Sequence, residues 1–369
     1  MIGPLAADLR MTLRTVVDSN IFRTAKGDAD MSVEAIPSLR LLGRFGPHDA
    51  NLSASAAILR YGKFGSENSE TVDLALGGRF DLGSGNTATW RTQYAREVEP
   101  RGAGGNNLVT AGPAELEILQ SAWTARSDFG RLTISAGAGV LQRSYAALPL
   151  RAGGSLDQSF RDTRAVSVAS RASYGITSSA AVFVAGAATR TTSLDREASP
   201  SRDGSSYSVL GGLRTETNGI IIGEIGIGFR GQNYVNPLFR DFSGFTYDAT
   251  VDWYPTRLIS VRIQAGQDIA NSGLANVPGI LRRSATLTAY YDPLRNLRFA
   301  VTLDRVRDEF REIDQATTTM TAGLTGRYQF NRMLGISAFV RARQKETSNI
   351  VSLDAFSGVA VGAAVTANL

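Results

Sequence analysis

The sequence predicts an all-β fold. It reads as one transmembrane antiparallel up-and-down β-barrel of about 18 strands, occupying residues 1–369 as a single outer-membrane domain. Three observations predict it. Stretches of roughly ten residues carry apolar side chains at every second position, as in Tyr247-Asp248-Ala249-Thr250-Val251-Asp252-Trp253. The connections between such stretches alternate between short and long. No apolar run of about 18 residues occurs, so a spanning helix is excluded.

Taken along the chain, eight tight connections stand out: 46–49, 83–86, 127–130, 175–178, 217–219, 254–257, 292–296 and 331–334. Gly, Pro, Asn and Asp dominate them, residues that set turn dihedrals or bond their own backbone. Nine longer, polar connections lie near 19–29, 63–69, 98–112, 144–161, 194–204, 234–243, 270–280, 308–315 and 346–354. Eight turns and nine loops join eighteen strands, with both termini on one side. The tight turns then face the periplasm and the long loops face outside.

Parity assigns the faces. Leu74, Leu76, Phe80 and Leu82 alternate with Asp73, Arg79 and Asp81. Ile259, Val261 and Ile263 alternate with Ser260, Arg262 and Gln264; Phe299, Val301 and Leu303 alternate with Arg298, Thr302 and Asp304. The apolar members face lipid, because Arg or Lys at the bilayer midplane costs about 2–4 kcal/mol. A soluble β-sandwich shows the same period with the faces reversed, and the chain length and the short–long rhythm favour the barrel. Phe80, Trp123, Tyr174, Trp253, Tyr291 and Phe330 each fall a few residues before a tight turn, which predicts an aromatic girdle at the periplasmic interface.

Composition narrows the chemistry. There is no cysteine and one histidine, His48, in a predicted periplasmic turn. Disulfides, thiol nucleophiles and multi-histidine metal sites are excluded, and no metal or cofactor is expected. The formal charge is +5, carried almost wholly by arginine, since Lys26, Lys63 and Lys345 are the lysines. The arginines are dispersed among acids rather than clustered, so nucleic acid is not an expected partner. Met1-Ile2-Gly3-Pro4 has no charged and apolar leader pattern. A barrel needs a leader to leave the cytoplasm, so it is expected to have been removed.

Several motifs carry a resemblance. Tyr234-Val235-Asn236-Pro237-Leu238-Phe239-Arg240-Asp241-Phe242-Ser243-Gly244 leads to Trp253-Tyr254-Pro255-Thr256-Arg257-Leu258. Later comes Tyr328-Gln329-Phe330-Asn331-Arg332-Met333-Leu334, and near the start Asp18-Ser19-Asn20-Ile21-Phe22. The chain resembles the outer-membrane β-barrel porins often encoded in exopolysaccharide gene clusters, beta-barrel porin type two. The resemblance implies a multi-pass protein of the bacterial outer membrane with a role in polysaccharide secretion. It hands over no catalytic residues. The motif residues Trp253, Pro255, Thr256, Asn331 and Arg332 read as turn specifiers: Pro255 fixes φ, and Asn331 with Arg332 is placed to bond turn carbonyls.

The inward parity holds the functional candidates. They are Arg79, Arg91, Arg171, Arg214, Arg230, Arg262, Arg298, Arg327, Arg341 and Arg343 with Asp81, Glu224, Asp248, Asp252, Asp268 and Asp304. Arginine offers planar, permanently charged donors for carboxylates and sugar hydroxyls. Pairing among themselves, as a solvated wall, is the plain alternative for each. The aromatic candidates on this parity, Tyr61, Phe183 and Phe339, form no continuous track. The expected function is a conduit for exopolysaccharide working with a periplasmic polysaccharide-export lipoprotein; the alternative is a diffusion porin for small anionic or sugar solutes. An enzyme is not expected. Loops 98–112 and 144–161 either fold inward and gate the pore or decorate the surface.

Overall fold

Alternation of side chains about an extended backbone gives each segment one apolar face and one polar face, and a closed sheet satisfies every ladder hydrogen bond without an edge. A computed structural model describes residues 5–102, 110–195, 201–348 and 355–369. Among these residues eighteen strands form one sheet. In order they are β1 Leu5–Asp18, β2 Asp30–Phe45, β3 His48–Tyr61, β4 Ser69–Gly83, β5 Asn86–Glu99, β6 Ala114–Phe129, β7 Leu132–Tyr145, β8 Thr163–Gly175 and β9 Ala180–Ser193. The second half comprises β10 Gly204–Thr217, β11 Ile221–Tyr234, β12 Phe242–Trp253, β13 Ile259–Asn271, β14 Gly279–Leu294, β15 Leu297–Phe310, β16 Gln315–Gln329, β17 Leu334–Ser348 and β18 Phe356–Asn368. Each strand pairs antiparallel with its neighbour in sequence, and β1 pairs with β18 from Arg10↔Asn368 to Asp18↔Ala360, so the barrel is closed.

The tight turns lie at one end of the barrel and the longer loops at the other. Several turn boundaries differ from expectation. His48 is the first residue of β3 rather than a turn residue, and its Nδ1 accepts the Asp81 amide at 3.1 Å. β6 runs on to Phe129, and β14 runs through Asp292 and Pro293 to Leu294 by way of a register shift after Tyr291. A proline at an irregularity costs no ladder bond, which is why it sits inside a strand end. The expected loop at 308–315 shrinks to the single turn Arg311–Ile313, because β15 continues to the buried Phe310.

The turn motifs act through their own backbone. Thr256 Oγ1 accepts the Leu258 and Ile259 amides at 3.2 and 3.0 Å, and the Tyr254 amide closes onto the Ile220 carbonyl across the turns. Asn331 accepts rather than donates: its Oδ1 takes the amides of Met333 and Leu334 at 2.8 and 2.9 Å. Arg332 contributes its carbonyl, to Asn368 Nδ2 at 2.9 Å.

The outer face is apolar where lipid requires it. Leu74, Val184, Ile227, Leu303, Leu324, Val340 and Val361 are all exposed on it. The girdle residues Phe80, Trp123, Tyr174, Trp253, Tyr291 and Phe330 are exposed near the turn end, and Trp123 stacks on Trp90 of β5 at 5.7 Å.

Candidate functional site

Register places every inward candidate on the face opposite the exposed apolar rows. Arg214 stands against Glu224, Arg262 against Asp252, and Asp304 against Thr321. Arg79, Arg91, Arg171, Arg230, Arg298, Arg327, Arg341 and Arg343 share that parity, as do Asp81, Asp248 and Asp268.

The structure brings only some of these together. Arg262 forks onto Asp252 at 2.6 and 3.0 Å, and Arg230 pairs with Asp268. Arg298 pairs with Asp292 at 2.6 Å, an acid absent from the expected set. Arg171 on β8 reaches across β9 and β10 to Glu224 on β11, with bonds of 2.6 and 2.8 Å, and lies 3.7 Å over the Phe183 ring of β9. Between them Gly212 of β10 and Gly226 of β11 leave room for that ring; a Cβ on Gly212 would collide with it. The clamp fills one side of the lumen near the periplasmic end, beside a hollow of about 400 Å³ that Arg126, Arg214 and Glu216 also line.

Other arginines stand apart. Arg327, Arg341 and Arg343 follow one another down β16 and β17 and make no ion pair among the described residues. Arg341 faces Gly323 and Ala360, and Arg343 faces Thr321 and Gly358. Arg327 and Arg341 are exposed, Arg343 is half-buried, and Arg341 rests 5.5 Å from the Phe339 ring. Arg79 and Arg91 likewise form no ion pair, while Asp304 accepts the Thr286 hydroxyl at 2.7 Å.

The mouth is built from residues that parity does not single out. Arg101, in the loop after β5, forks onto Glu67 of the loop after β3 at 2.9 and 2.6 Å, both side chains buried. Lys345 on the inner face of β17 donates to the Gly102 carbonyl at 3.0 Å. Arg151 and Phe64 pack on Phe22 of the first loop. Two residues before Arg101, Glu99 pairs with Arg161, which lies 3.8 Å over Tyr145. Arg202 donates to the carbonyls of Ser272 at 2.7 Å and Leu274 at 2.6 Å, tying the loop after β9 to the loop after β13. Burial with no carboxylate partner pushes the Arg202 guanidinium down to about 10. Val277, Ile280 and Phe310 form a small buried core beneath it. Arg101 is a lone Arg in a Gly-rich loop and Arg202 shares its loop with Arg196, and neither has a periodicity to betray it. The described parts of the loops therefore fold over the mouth; residues 103–109 of the expected gating loop lie outside the described residues.

Among the described residues, no group of three or more His, Cys, Asp or Glu is placed to hold a metal ion. A closed barrel, apolar outside and polar inside, with loops drawn over one end, is the architecture of an outer-membrane porin. The family model described as "Putative beta-barrel porin 2" matches residues 3–369, and the chain belongs to that family. Among solved structures it is similar to OccK2 (OpdF) of Pseudomonas aeruginosa, with 11% identity and a TM-score of 0.52 over 98% of each chain. Similarity to OpdO of the same organism is 12% identity and a TM-score of 0.51 over 98% of this chain and 97% of that one. Similarity to the copper transporter OprC is 10% identity and a TM-score of 0.51 over 100% of this chain and 81% of that one. No curated protein matches the chain.

Proposed function

We propose that this porin is a non-enzymatic conduit through which an acidic exopolysaccharide crosses the outer membrane, handed on by a periplasmic polysaccharide-export lipoprotein. The observation that carries the proposal is the stripe of Arg327, Arg341 and Arg343, without ion pairs among the described residues, running down the wall below the loop-covered mouth. Guanidinium groups bind carboxylates in forked pairs, and a line of them offers a chain of acidic sugars successive, exchangeable footholds. Conduction needs binding weak enough to release, and many sites with few ring-stacking aromatics meet that need. The loop-folded mouth suits a conduit that stays shut until it is engaged.

The stripe also suits the second reading, a diffusion porin for small anions or sugars. Planar-bilayer recording with gene deletion separates the two. Closed or rarely open channels, together with loss of surface polysaccharide on deletion, support the conduit. A large steady conductance with surface polysaccharide intact on deletion overturns it in favour of the porin.

A further inference from the structure

The lipid-facing wall of β13–β18 is not uniformly convex. A groove of about 770 Å³ runs across it toward the loop end of the barrel. One register row of outward positions crosses it as Leu287, Leu303, Ala322 and Ala342, and the next row toward the loops as Ala285, Arg305 and Met320. The alanines make the floor, and the longer side chains, with Leu303 and Met320 half exposed, make the walls.

Arg305 stands at the loop-side edge of this apolar groove. Its parity faces lipid, and among the described residues it makes no ion pair and no side-chain hydrogen bond. One row further out, Arg283 and Arg307 share a single carboxylate, Glu309, at 2.6 and 3.0 Å. Gln344, two strands from Arg305 in the same register row, bonds Glu346 at 3.1 Å, so three arginines face two glutamates here. A permanent cation held against hydrocarbon is costly unless an anion meets it.

We propose that this groove is a binding site for one phosphorylated, multiply acylated glycolipid of the outer leaflet, its acyl chains along the alanine floor and its phosphate on Arg305. The groove gives apolar contact, and at its loop-side edge the outward rows turn polar: Arg305 and Gln344 share one row, and Arg283, Arg307 and Glu346 the next. Arginine forks onto phosphate as it does onto carboxylate. The inference is independent of what passes through the lumen.

The test is native mass spectrometry of the folded, detergent-purified barrel titrated with bisphosphorylated lipid A, with its dephosphorylated form, and with phosphatidylglycerol. Folding of each variant is checked by heat-modifiable gel mobility. The expected result is one retained bisphosphorylated lipid, with the dephosphorylated form and phosphatidylglycerol each weaker by about ten-fold or more. Arg305→Glu, or Arg305→Gln where charge reversal prevents folding, weakens retention by a similar factor. Ala322→Phe, which fills the floor, does the same. Arg190→Glu, at an outward arginine on β9 away from the groove, leaves retention unchanged. Equal retention by the Arg305 and Ala322 variants, or equal binding of the dephosphorylated lipid or of phosphatidylglycerol, overturns the proposal. So does a dimer of this chain that Ala322→Phe dissociates, which would make a second copy the occupant.

Discussion

Lys345 on β17 and Gly102 after β5 lie on strands six apart around the wall, counted back from β5 through β1 and β18, yet the Lys345 ammonium donates to the Gly102 carbonyl at 3.0 Å. A loop standing upright on the rim could not make that bond. The loop has to cross the mouth to reach Lys345, and the buried Arg101–Glu67 pair holds its base.

Breaking that base should loosen the cover while sparing the barrel. Glu67→Gln leaves Arg101 buried without its carboxylate, at a cost of about 3–5 kcal/mol to the loop cluster. Limited proteolysis should then cut loops that resist it in the native protein, and bilayer recordings should show more frequent openings. Unchanged protease resistance and gating would place the cover elsewhere.

The arginine stripe should set ion selectivity. Arg341→Glu combined with Arg343→Glu converts two successive inward cations of β17 into acids. The reversal potential in a salt gradient should move from anion toward cation preference. High ionic strength should weaken the effect, since solvated charges are screened over about 3 Å at 1 M salt.

The Arg171 clamp depends on absent side chains. Gly212→Val pushes a branched side chain into the Phe183 ring and the backbone beside it. Overpacking of this kind costs about 1–3 kcal/mol. The urea midpoint of the folded barrel should fall, and Phe183→Ala in the same chain should restore part of the loss. A loss unaffected by Phe183→Ala would mean that the ring is not what Gly212 accommodates.

The two faces should respond oppositely to one substitution. Leu324→Arg puts a charge in the lipid band and should cost about 2–4 kcal/mol. Thr325→Arg, one residue on, points inward beside Phe339 and should change stability by less than about 0.5 kcal/mol. Equal losses in unfolding titrations would contradict the face assignment.

Much of this was legible in the sequence, because a period of two is strict: once Leu74 faces lipid, Asp73 and Arg79 must face inward. The turns that slipped did so for local reasons. Ser127-Asp128-Phe129 and Asp292-Pro293 look like breakers, yet pairing continues through the first, and at the second the strand slips past the two residues and pairs again at Leu294. Asn331 was recognisable as a turn residue, but which of its atoms bonds depends on where the amides of Met333 and Leu334 point. Partnership was not legible, since Arg171 and Glu224 are 53 residues apart and meet only through the barrel's register. The mouth was hidden too, because Arg101 and Arg202 act from segments without periodicity. Arg305 follows Leu303 at the same parity and could have been placed on the lipid face, but its groove arises from the small residues of neighbouring strands.

The central claim is that acidic polysaccharide leaves the cell through this lumen along Arg341 and Arg343. The most direct measurement is surface polysaccharide, quantified by uronic-acid content, in a strain lacking the gene and complemented with either the native protein or the Arg341→Glu, Arg343→Glu double variant. Barrel abundance in the outer membrane is matched by heat-modifiable mobility. The account predicts that deletion abolishes surface polysaccharide, that the native gene restores it, and that the folded double variant does not. Undiminished surface polysaccharide in the deletion strain, or full restoration by the double variant, would contradict it.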